Sequence, residues 1–246
     1  MQHIIFLGID NLKLKYLFFL IKLNRNMTET QDIDCVNRKM FVLLHGYGDS
    51  GEGMEPIKRS FADIAPKGSK FFCPNAPFLI PKEHGYSWYP FVLEEDTERL
   101  NEEFVFNGMQ TTMPYLRKYI INNMNENNFS FQDIILIGFS QGAGLATHAS
   151  LRLGAKICGT VSFSGGFANP YNDIETSYIQ EIKSPMCFIH GKKDRILSHM
   201  LSEHAYNSLY KAGFNVELHL FDDLKHKIDE NCLDCAKKFL QKIINK

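Results

Sequence analysis

The chain has 246 residues, of which 44% are hydrophobic and 22% are charged, and its formal net charge is −1. This length and composition suit one large domain with a substantial core, and the near-neutral charge excludes a strongly basic nucleic-acid-binding protein. A chain of this length does not need disulfides for stability. We therefore expect the six cysteines to be buried thiols, in a protein of a reducing, cytoplasmic setting.

Residues 1–26 differ from the rest of the chain. Their apolar run, residues 16–21, is too short to cross a bilayer, and it is flanked by lysines without a small-residue cleavage site behind it. We therefore predict that residues 1–26 are a dispensable extension and that residues 27–246 form a single domain. A loose amphipathic contact with a membrane is the alternative for the extension, whereas stable membrane insertion is not expected.

Short apolar runs alternate with helical stretches over the rest of the chain. This alternation predicts an α/β fold with a mostly parallel central sheet and helices on both faces. We predict strands over residues 40–44, 70–73, 133–138, 156–163, 186–189 and 216–221. We predict helices after Gly51 and over residues 98–123, 141–153, 198–212 and 229 to the end.

The segment Gly138-Phe-Ser140-Gln-Gly142 matches the pattern G-x-S-x-G. An apolar strand runs directly into it and an alanine-rich helical stretch follows, which is the strand–turn–helix context of a nucleophile elbow. Small residues at both ends of the pattern permit the tight turn that exposes the serine oxygen. Ser140 is therefore the predicted nucleophile, and the predicted fold is the α/β-hydrolase fold. A glycine-rich turn that carries a solvated serine is the alternative.

A serine hydroxyl needs a base to activate it, and the base needs an acid to orient it. In this fold the chain order is serine, then acid, then histidine. Asp194 and His226 follow the fifth and sixth predicted strands, at the strand ends where ligands bind in open α/β sheets. They are the predicted acid and base. His199 is a rival base, and Asp222 and Asp223 are rival acids.

The negative charge that develops on a carbonyl oxygen needs two backbone N–H groups. One is expected from Gln141, the residue after the nucleophile. The other is expected from Tyr47, in the loop His45-Gly-Tyr-Gly-Asp-Ser-Gly51, whose glycines let the backbone approach a substrate. Taken alone, this loop is more typical of a chain that simply turns into a helix, and the nucleophile elbow is what favours the oxyanion role.

Substrate contacts are predicted from an aromatic-rich segment ahead of the long helix and from the loop of the predicted acid. These residues are Phe78, Leu79, Trp88, Phe91 and Ile196. Such residues can line an acyl pocket, or the segment can pack on the core as a surface loop. No cofactor and no metal ion are expected, because Cys232-x-x-Cys235 lies in a helical run without a second pair of ligands.

Six motifs occur in the order Leu44-His-Gly-Tyr-Gly-Asp-Ser-Gly51, Pro74-Asn-Ala-Pro77, Ser87-Trp-Tyr89, Gly138-Phe-Ser-Gln-Gly142, Ser164-Gly-Gly166 and His190-Gly-Lys-Lys-Asp194. Together, over roughly residues 39–240, they resemble the phospholipase/carboxylesterase family, which includes acyl-protein thioesterases. The resemblance implies a cofactor-free serine esterase or thioesterase that works through an acyl-enzyme. It also implies the triad Ser140, Asp194 and His226.

Two departures from the family pattern bear on the substrate. Ala143 stands where the family usually has a second glycine, and residues 78–85 are unlike the longer loop of eukaryotic acyl-protein thioesterases and resemble the bacterial carboxylesterase form. The implied partner is an ester substrate, either a small molecule or an acylated protein, and no oligomeric state is predicted. Acyl-protein thioesterase or lysophospholipase activity is one alternative. A non-catalytic binding protein with a hydrolase fold is another.

Overall fold

The apolar runs of the sequence form a parallel sheet in the computed structural model, which describes residues 37–80, 85–90, 102–168 and 181–245. The strands of this sheet are β1 (Met40–Leu44), β2 (Lys70–Phe72), β5 (Ile134–Phe139), β6 (Gly159–Phe163), β7 (Met186–Gly191) and β8 (Val216–Phe221). Their order is β2-β1-β5-β6-β7-β8, and every pairing is parallel. A small antiparallel hairpin, β3 (Phe78–Leu79) with β4 (Tyr86–Ser87), lies outside it.

Helices connect the strands and cover the sheet. They are α1 (Glu55–Phe61), which follows a 3-10 turn at Glu52–Met54, α2 (Glu102–Glu126), α3 (Gln141–Arg152), α4 (Met200–Lys211) and α5 (Glu230–Ile244). The side chain of Asp229 caps α5 by accepting a hydrogen bond of 3.1 Å from the Cys232 N–H. A cap of this kind satisfies an N–H group that the first turn of a helix leaves unpaired.

Strand β1 shows why the central strands are apolar at every position. Met40, Val42 and Leu44 belong to one hydrophobic cluster, together with residues of α2 and α3. Phe41 and Leu43 belong to another, together with residues of α5. Alternate residues of a strand point to opposite faces, so helices on both faces require apolar side chains throughout.

The structure confirms the predicted fold class and most of the predicted elements. Strands β1 and β8 have the predicted bounds. Strand β6 begins at Gly159, three residues after its predicted start, and residues 156–158 form the approach to it. Helix α2 continues through Pro114 to Glu126, past the predicted end. The β3–β4 hairpin was not predicted, since two residues per strand give no periodic signal. The predicted extension, residues 1–26, lies outside the described residues.

The carboxyl ends of β5, β7 and β8 meet at one edge of the sheet, because the strands are parallel. Ser140 follows β5 directly, Asp194 follows β7 and His226 follows β8. The fold therefore brings three distant parts of the chain to one edge. Among the residues that the structure describes, no helix is long and apolar enough to span a bilayer.

Candidate active site

Ser140 lies in a sharp turn between β5 and α3. Its backbone has φ 54° and ψ −116°, a conformation that residues other than glycine rarely adopt. The Ser140 N–H donates to the Phe163 carbonyl at 2.9 Å, which fixes the turn against β6. A Cβ atom at Gly138 would lie 2.3 Å from the Gly142 oxygen, and one at Gly142 would lie 2.2 Å from the Leu44 oxygen. Only glycine fits at either position, so the G-x-S-x-G pattern follows from the packing of this turn.

Three polar side chains form a hydrogen-bonded chain at the edge of the sheet. His226 Nε2 lies 3.0 Å from Ser140 Oγ, and His226 Nδ1 lies 2.6 Å from Asp194 Oδ2. An ionised carboxylate only accepts hydrogen bonds, so Nδ1 carries the proton and Nε2 is free to accept one from the serine. This geometry suits proton transfer from the Ser140 hydroxyl to His226.

Asp194 is held as a carboxylate by its surroundings. Its side chain is fully buried, and its Oδ1 accepts the N–H groups of Ile196 and Leu197, both at 2.9 Å. Burial opposes ionisation, but hydrogen bonds from Leu197, His226 and Ile196 outweigh it and hold the pKa of Asp194 below its ordinary value. The acid is therefore ionised and fixed in place at neutral pH.

His190 is a second histidine at Asp194 that the sequence did not identify. Its Nε2 lies 3.1 Å from Asp194 Oδ2 and 3.1 Å from the Leu197 carbonyl, so this nitrogen is a donor. Its Nδ1 lies 2.7 Å from Ser202 Oγ. Burial lowers the pKa of His190 against the attraction of Asp194. The sequence did carry a signal for this residue, because the motif His190-Gly-Lys-Lys-Asp194 places His190 in the same short segment as the acid.

The loops of the acid and the base are joined to each other by their backbones. The N–H of Lys192 donates to the Phe221 carbonyl at 2.8 Å, and that of Lys193 donates to the Leu224 carbonyl at 3.0 Å. A Cβ atom at Gly191 would lie 2.2 Å from the Leu224 oxygen, so the two loops touch where only glycine fits. This contact sets the distance between Asp194 and His226.

The rival residues lie elsewhere. Asp222 pairs with Lys192 at 2.7 Å and Asp223 pairs with Lys193 at 2.6 Å, and both carboxylates are mostly exposed to solvent. His199 is the residue ahead of α4, and its carbonyl accepts the first hydrogen bonds of that helix. The hydrogen bonds of Ser140 Oγ and Asp194 Oδ2 described above are made with His226, not with His199.

The two predicted oxyanion donors belong to segments that lie next to the serine. Gln141 is the first residue of α3, where the backbone N–H has no acceptor within the helix. A Cβ atom at Gly46 would lie 3.6 Å from the Cβ of Ser140, so the loop that carries Tyr47 passes directly beside the nucleophile. Hydrogen bonds from the Gly48 N–H to the Tyr86 carbonyl, at 3.0 Å, and from the Tyr86 N–H back to this loop fasten it to β4.

The Gln141 side chain fastens a further segment beneath the site. Its Oε1 accepts the Trp88 N–H at 2.9 Å, and its Nε2 donates to the Tyr89 carbonyl at 2.8 Å. The Trp88 indole N–H in turn donates to the His45 carbonyl at 2.9 Å. One buried amide thus connects the elbow to the start of the Tyr47 loop.

His45 is another supporting residue that the sequence did not identify. Its Nδ1 lies 2.7 Å from the Gly46 carbonyl, and its Nε2 accepts the Ala76 N–H at 3.0 Å. The ring is fully buried, and burial lowers its pKa, against the hydrogen bond to Gly46. A neutral imidazole with its proton on Nδ1 satisfies both partners, so His45 braces the loop and is not a base.

The predicted substrate contacts divide into three groups. Phe78 and Leu79 on β3, and Ile196 beside Asp194, are exposed to solvent and available to a ligand. Trp88 is fully buried in the core, and its indole N–H donates a hydrogen bond to the His45 carbonyl. It supports the site and offers no surface to a substrate. Phe91 lies outside the described residues.

Comparison with known proteins is consistent with this arrangement. The sequence model of the phospholipase/carboxylesterase family matches residues 26–244. An acyl-protein thioesterase 1 homologue of Dictyostelium discoideum is 25% identical over 218 residues, which are 83% of this chain and 90% of that protein. A probable carboxylesterase of Arabidopsis thaliana, SOBER1-like, is 27% identical over 234 residues, 91% of this chain and 86% of that protein.

A solved structure gives the same result at the level of the fold. The crystal structure of esterase PE8 is similar with a TM-score of 0.76 and 31% sequence identity, and the similarity covers 87% of this chain and 96% of that one. The family match and this structural likeness confirm the resemblance and the α/β-hydrolase fold that the motifs predicted.

Proposed function

We propose that Ser140, His226 and Asp194 are the catalytic triad of this chain, which belongs to the phospholipase/carboxylesterase family of serine esterases and thioesterases. The observation that carries this proposal is the unbroken chain of hydrogen bonds from Ser140 Oγ through both nitrogens of His226 to Asp194. Ser140 is partly exposed at this turn, so a substrate can reach it.

The reaction then follows from the geometry. Ser140 Oγ attacks the carbonyl carbon of the ester while its proton moves to His226 Nε2. The N–H groups of Gln141 and Tyr47 stabilise the resulting oxyanion. Collapse of the tetrahedral intermediate expels the alcohol or thiol, which takes the proton from His226 and leaves an acyl group on Ser140. Water, deprotonated by His226, attacks the acyl-enzyme and releases the carboxylic acid.

The substrate we propose is the ester or thioester of an apolar acyl chain, on a small molecule or on a protein. Exposed apolar side chains on β3 and beside Asp194 support this, and the relatives named above are called thioesterases and carboxylesterases. Matched oxygen esters and thioesters with acyl chains of increasing length test it. We expect kcat/KM to rise with chain length from acetyl to medium chains. A flat or falling series would exclude an apolar acyl site.

The position of Leu79 yields a specific prediction for that series. Leu79 pairs with Tyr86, whose backbone is bonded to the Tyr47 loop, so this exposed leucine adjoins the predicted oxyanion site. We expect Leu79→Ser to lower kcat/KM for medium-chain esters roughly tenfold, because each acyl CH₂ that loses its contact costs about 0.8 kcal/mol. Acetyl esters should be unaffected.

Tyr210→Ser is the matched control for that change, since Tyr210 is 64% exposed and Leu79 is 65% exposed. Tyr210 lies near the end of α4 and stacks on Tyr206. Its replacement should leave both substrates unchanged. Equal losses for acetyl and medium-chain esters in Leu79→Ser would show that Leu79 shapes the fold and does not contact the acyl chain.

We propose that residues 1–26 are not needed for catalysis and that residues 27–246 form the catalytic domain. The first strand of the sheet begins at Met40, and the family match begins at residue 26. A variant beginning at Met27 should keep the wild-type kcat/KM and thermal midpoint. Insolubility or loss of activity would show that the extension packs on the domain.

We also propose a reducing, cytoplasmic setting. The cysteines of the described residues are free thiols: Cys73, Cys158, Cys187, Cys232 and Cys235. Burial raises the pKa of Cys158 to about 11 and that of Cys232 to about 12, so these thiols are protonated and unreactive at neutral pH. Thiol labelling of the protein as isolated, with and without prior reduction, tests this setting, and disulfides present before reduction would contradict it.

A further inference from the structure

A group of side chains with potential metal-ligand atoms lies at the β8 edge of the sheet, under α5. Cys187 on β7 is in register with Glu217 on β8, and His219 follows Glu217 by two residues. Neighbours in register, and alternate residues of one strand, share a face of the sheet. The potential ligand atoms of Cys187, Glu217 and His219 all lie within 4.8 Å of one another.

We propose that Cys187, Glu217 and His219 bind a divalent transition-metal ion of the zinc type. A thiolate, an imidazole nitrogen and a carboxylate oxygen are the ligands that Zn²⁺ takes in proteins, whereas Mg²⁺ and Ca²⁺ prefer oxygen alone. Small side-chain rotations bring donors at this separation to the spacing of a tetrahedral site. As the sulfur–metal bond forms, the Cys187 thiol releases its proton to solvent.

Glu217 keeps one oxygen available for a cation, although Lys238 and Lys242 also line the cleft. Lys242 Nζ lies 3.0 Å from Glu217 Oε1, while Glu217 Oε2 lies 3.3 Å from His219 Nε2. The lysine therefore holds one carboxylate oxygen and leaves the other directed at the cluster, in the way that outer partners orient metal ligands. The thiolate and the carboxylate supply two negative charges to the ion, and Lys242 shares the second of them.

The cluster is reached from solvent at Glu217 and His219, while Cys187 is fully buried behind them. A cleft of about 560 Å³ opens over Glu217 and His219, and its other walls come from α5. Its lining residues on α5 are Cys235, Lys238, Gln241 and Lys242. Because the cleft is open, the fourth position of the metal is taken by water. The ligands lie on β7 and β8, while the loops that follow these strands carry Asp194 and His226, so the metal plays no part in the proposed triad.

Co²⁺ titration of the full-length protein tests the site directly. We expect one Co²⁺ per chain, with the visible absorption of a tetrahedral ion and a thiolate-to-cobalt band in the near ultraviolet, both lost on addition of Zn²⁺. Cys187→Ser should abolish the thiolate band, and His219→Ala should weaken Co²⁺ binding by about tenfold or more. Cys158→Ser, which alters a thiol just ahead of β6 that is not part of the cluster, is the matched control and should bind as the wild type does.

Absence of saturable Co²⁺ binding to the folded wild type would overturn the proposal, as would a thiolate band that survives both Cys187→Ser and His219→Ala. If Cys187→Ser does not fold, His219→Ala decides the result, because His219 is half-buried on an edge strand and tolerates replacement better. Ser140→Ala should bind Co²⁺ normally, so failure of the metal site and failure of the proposed triad give different results.

Discussion

Ser140→Ala abolishes ester hydrolysis and leaves the protein folded. The substitution removes only the hydroxyl group, whose oxygen lies 3.0 Å from His226 Nε2. Loss of a triad nucleophile lowers kcat by a factor on the order of 10⁴ or more. Alanine keeps the Cβ atom, so the unusual backbone at this position gains no new strain, and the stability change should stay within about 0.5 kcal/mol.

The measurement is kcat/KM on a medium-chain ester, with the thermal midpoint followed by circular dichroism. Ser60→Ala is the control, because within the described part of the chain the Ser60 hydroxyl donates to the Pro56 carbonyl of its own helix, α1, and its loss should leave activity unchanged. A folded Ser140→Ala protein that retains turnover within about tenfold of the wild type would end the assignment, since that loss is far below the range expected for a triad nucleophile.

His226→Ala and Asp194→Asn each lower kcat by orders of magnitude. The first removes the base, and the second replaces the acceptor that keeps the proton on His226 Nδ1, at 2.6 Å, with an amide that favours the wrong tautomer. The double variant should cost little more than either single change, because the triad acts as a unit. Kinetics of the three variants on one substrate, under saturating conditions, measure this.

The stabilities of the two variants should differ. The Asp194 carboxylate accepts hydrogen bonds from Ile196, Leu197, His190 and His226. An asparagine has one acceptor oxygen for these donors, so Asp194→Asn should also destabilise the fold, by about 1–3 kcal/mol for each buried donor left unpaired. The His226 side chain is partly exposed, so His226→Ala should destabilise the fold less than Asp194→Asn does. His199→Ala is the control and should leave both activity and stability unchanged. Loss of activity in His199→Ala but not in His226→Ala would identify His199 as the base.

The sequence identified the three residues of the proposed triad because each follows the end of a predicted strand. Order along the chain and strand ends located Ser140, Asp194 and His226 without knowledge of contacts. Strand ends alone did not separate Asp194 from Asp222 and Asp223, since all three follow strands; Asp194 was preferred because the other two share a strand end with the histidine. Their surroundings separate them: Asp194 is buried and surrounded by N–H donors, whereas the other two pair with surface lysines.

The supporting residues were harder to predict, because their roles depend on contacts distant in the chain. His45 reaches Ala76, and Gln141 reaches Trp88, across 31 and 53 positions of the sequence. No local pattern encodes such a pair. Trp88 shows the opposite error: its place in an aromatic-rich segment suggested a pocket wall, whereas its ring is fully buried in the core and its indole N–H donates to the His45 carbonyl.

Labelling with a fluorophosphonate tests the central assignment most directly, because only a serine activated by a neighbouring base reacts quickly with it. The wild-type protein should gain one label, and peptide mass spectrometry should locate it on Ser140. Ser140→Ala should remain unlabelled, and His226→Ala should react far more slowly. A folded wild-type protein that gains no label, or gains it on another serine, would contradict the triad proposed here.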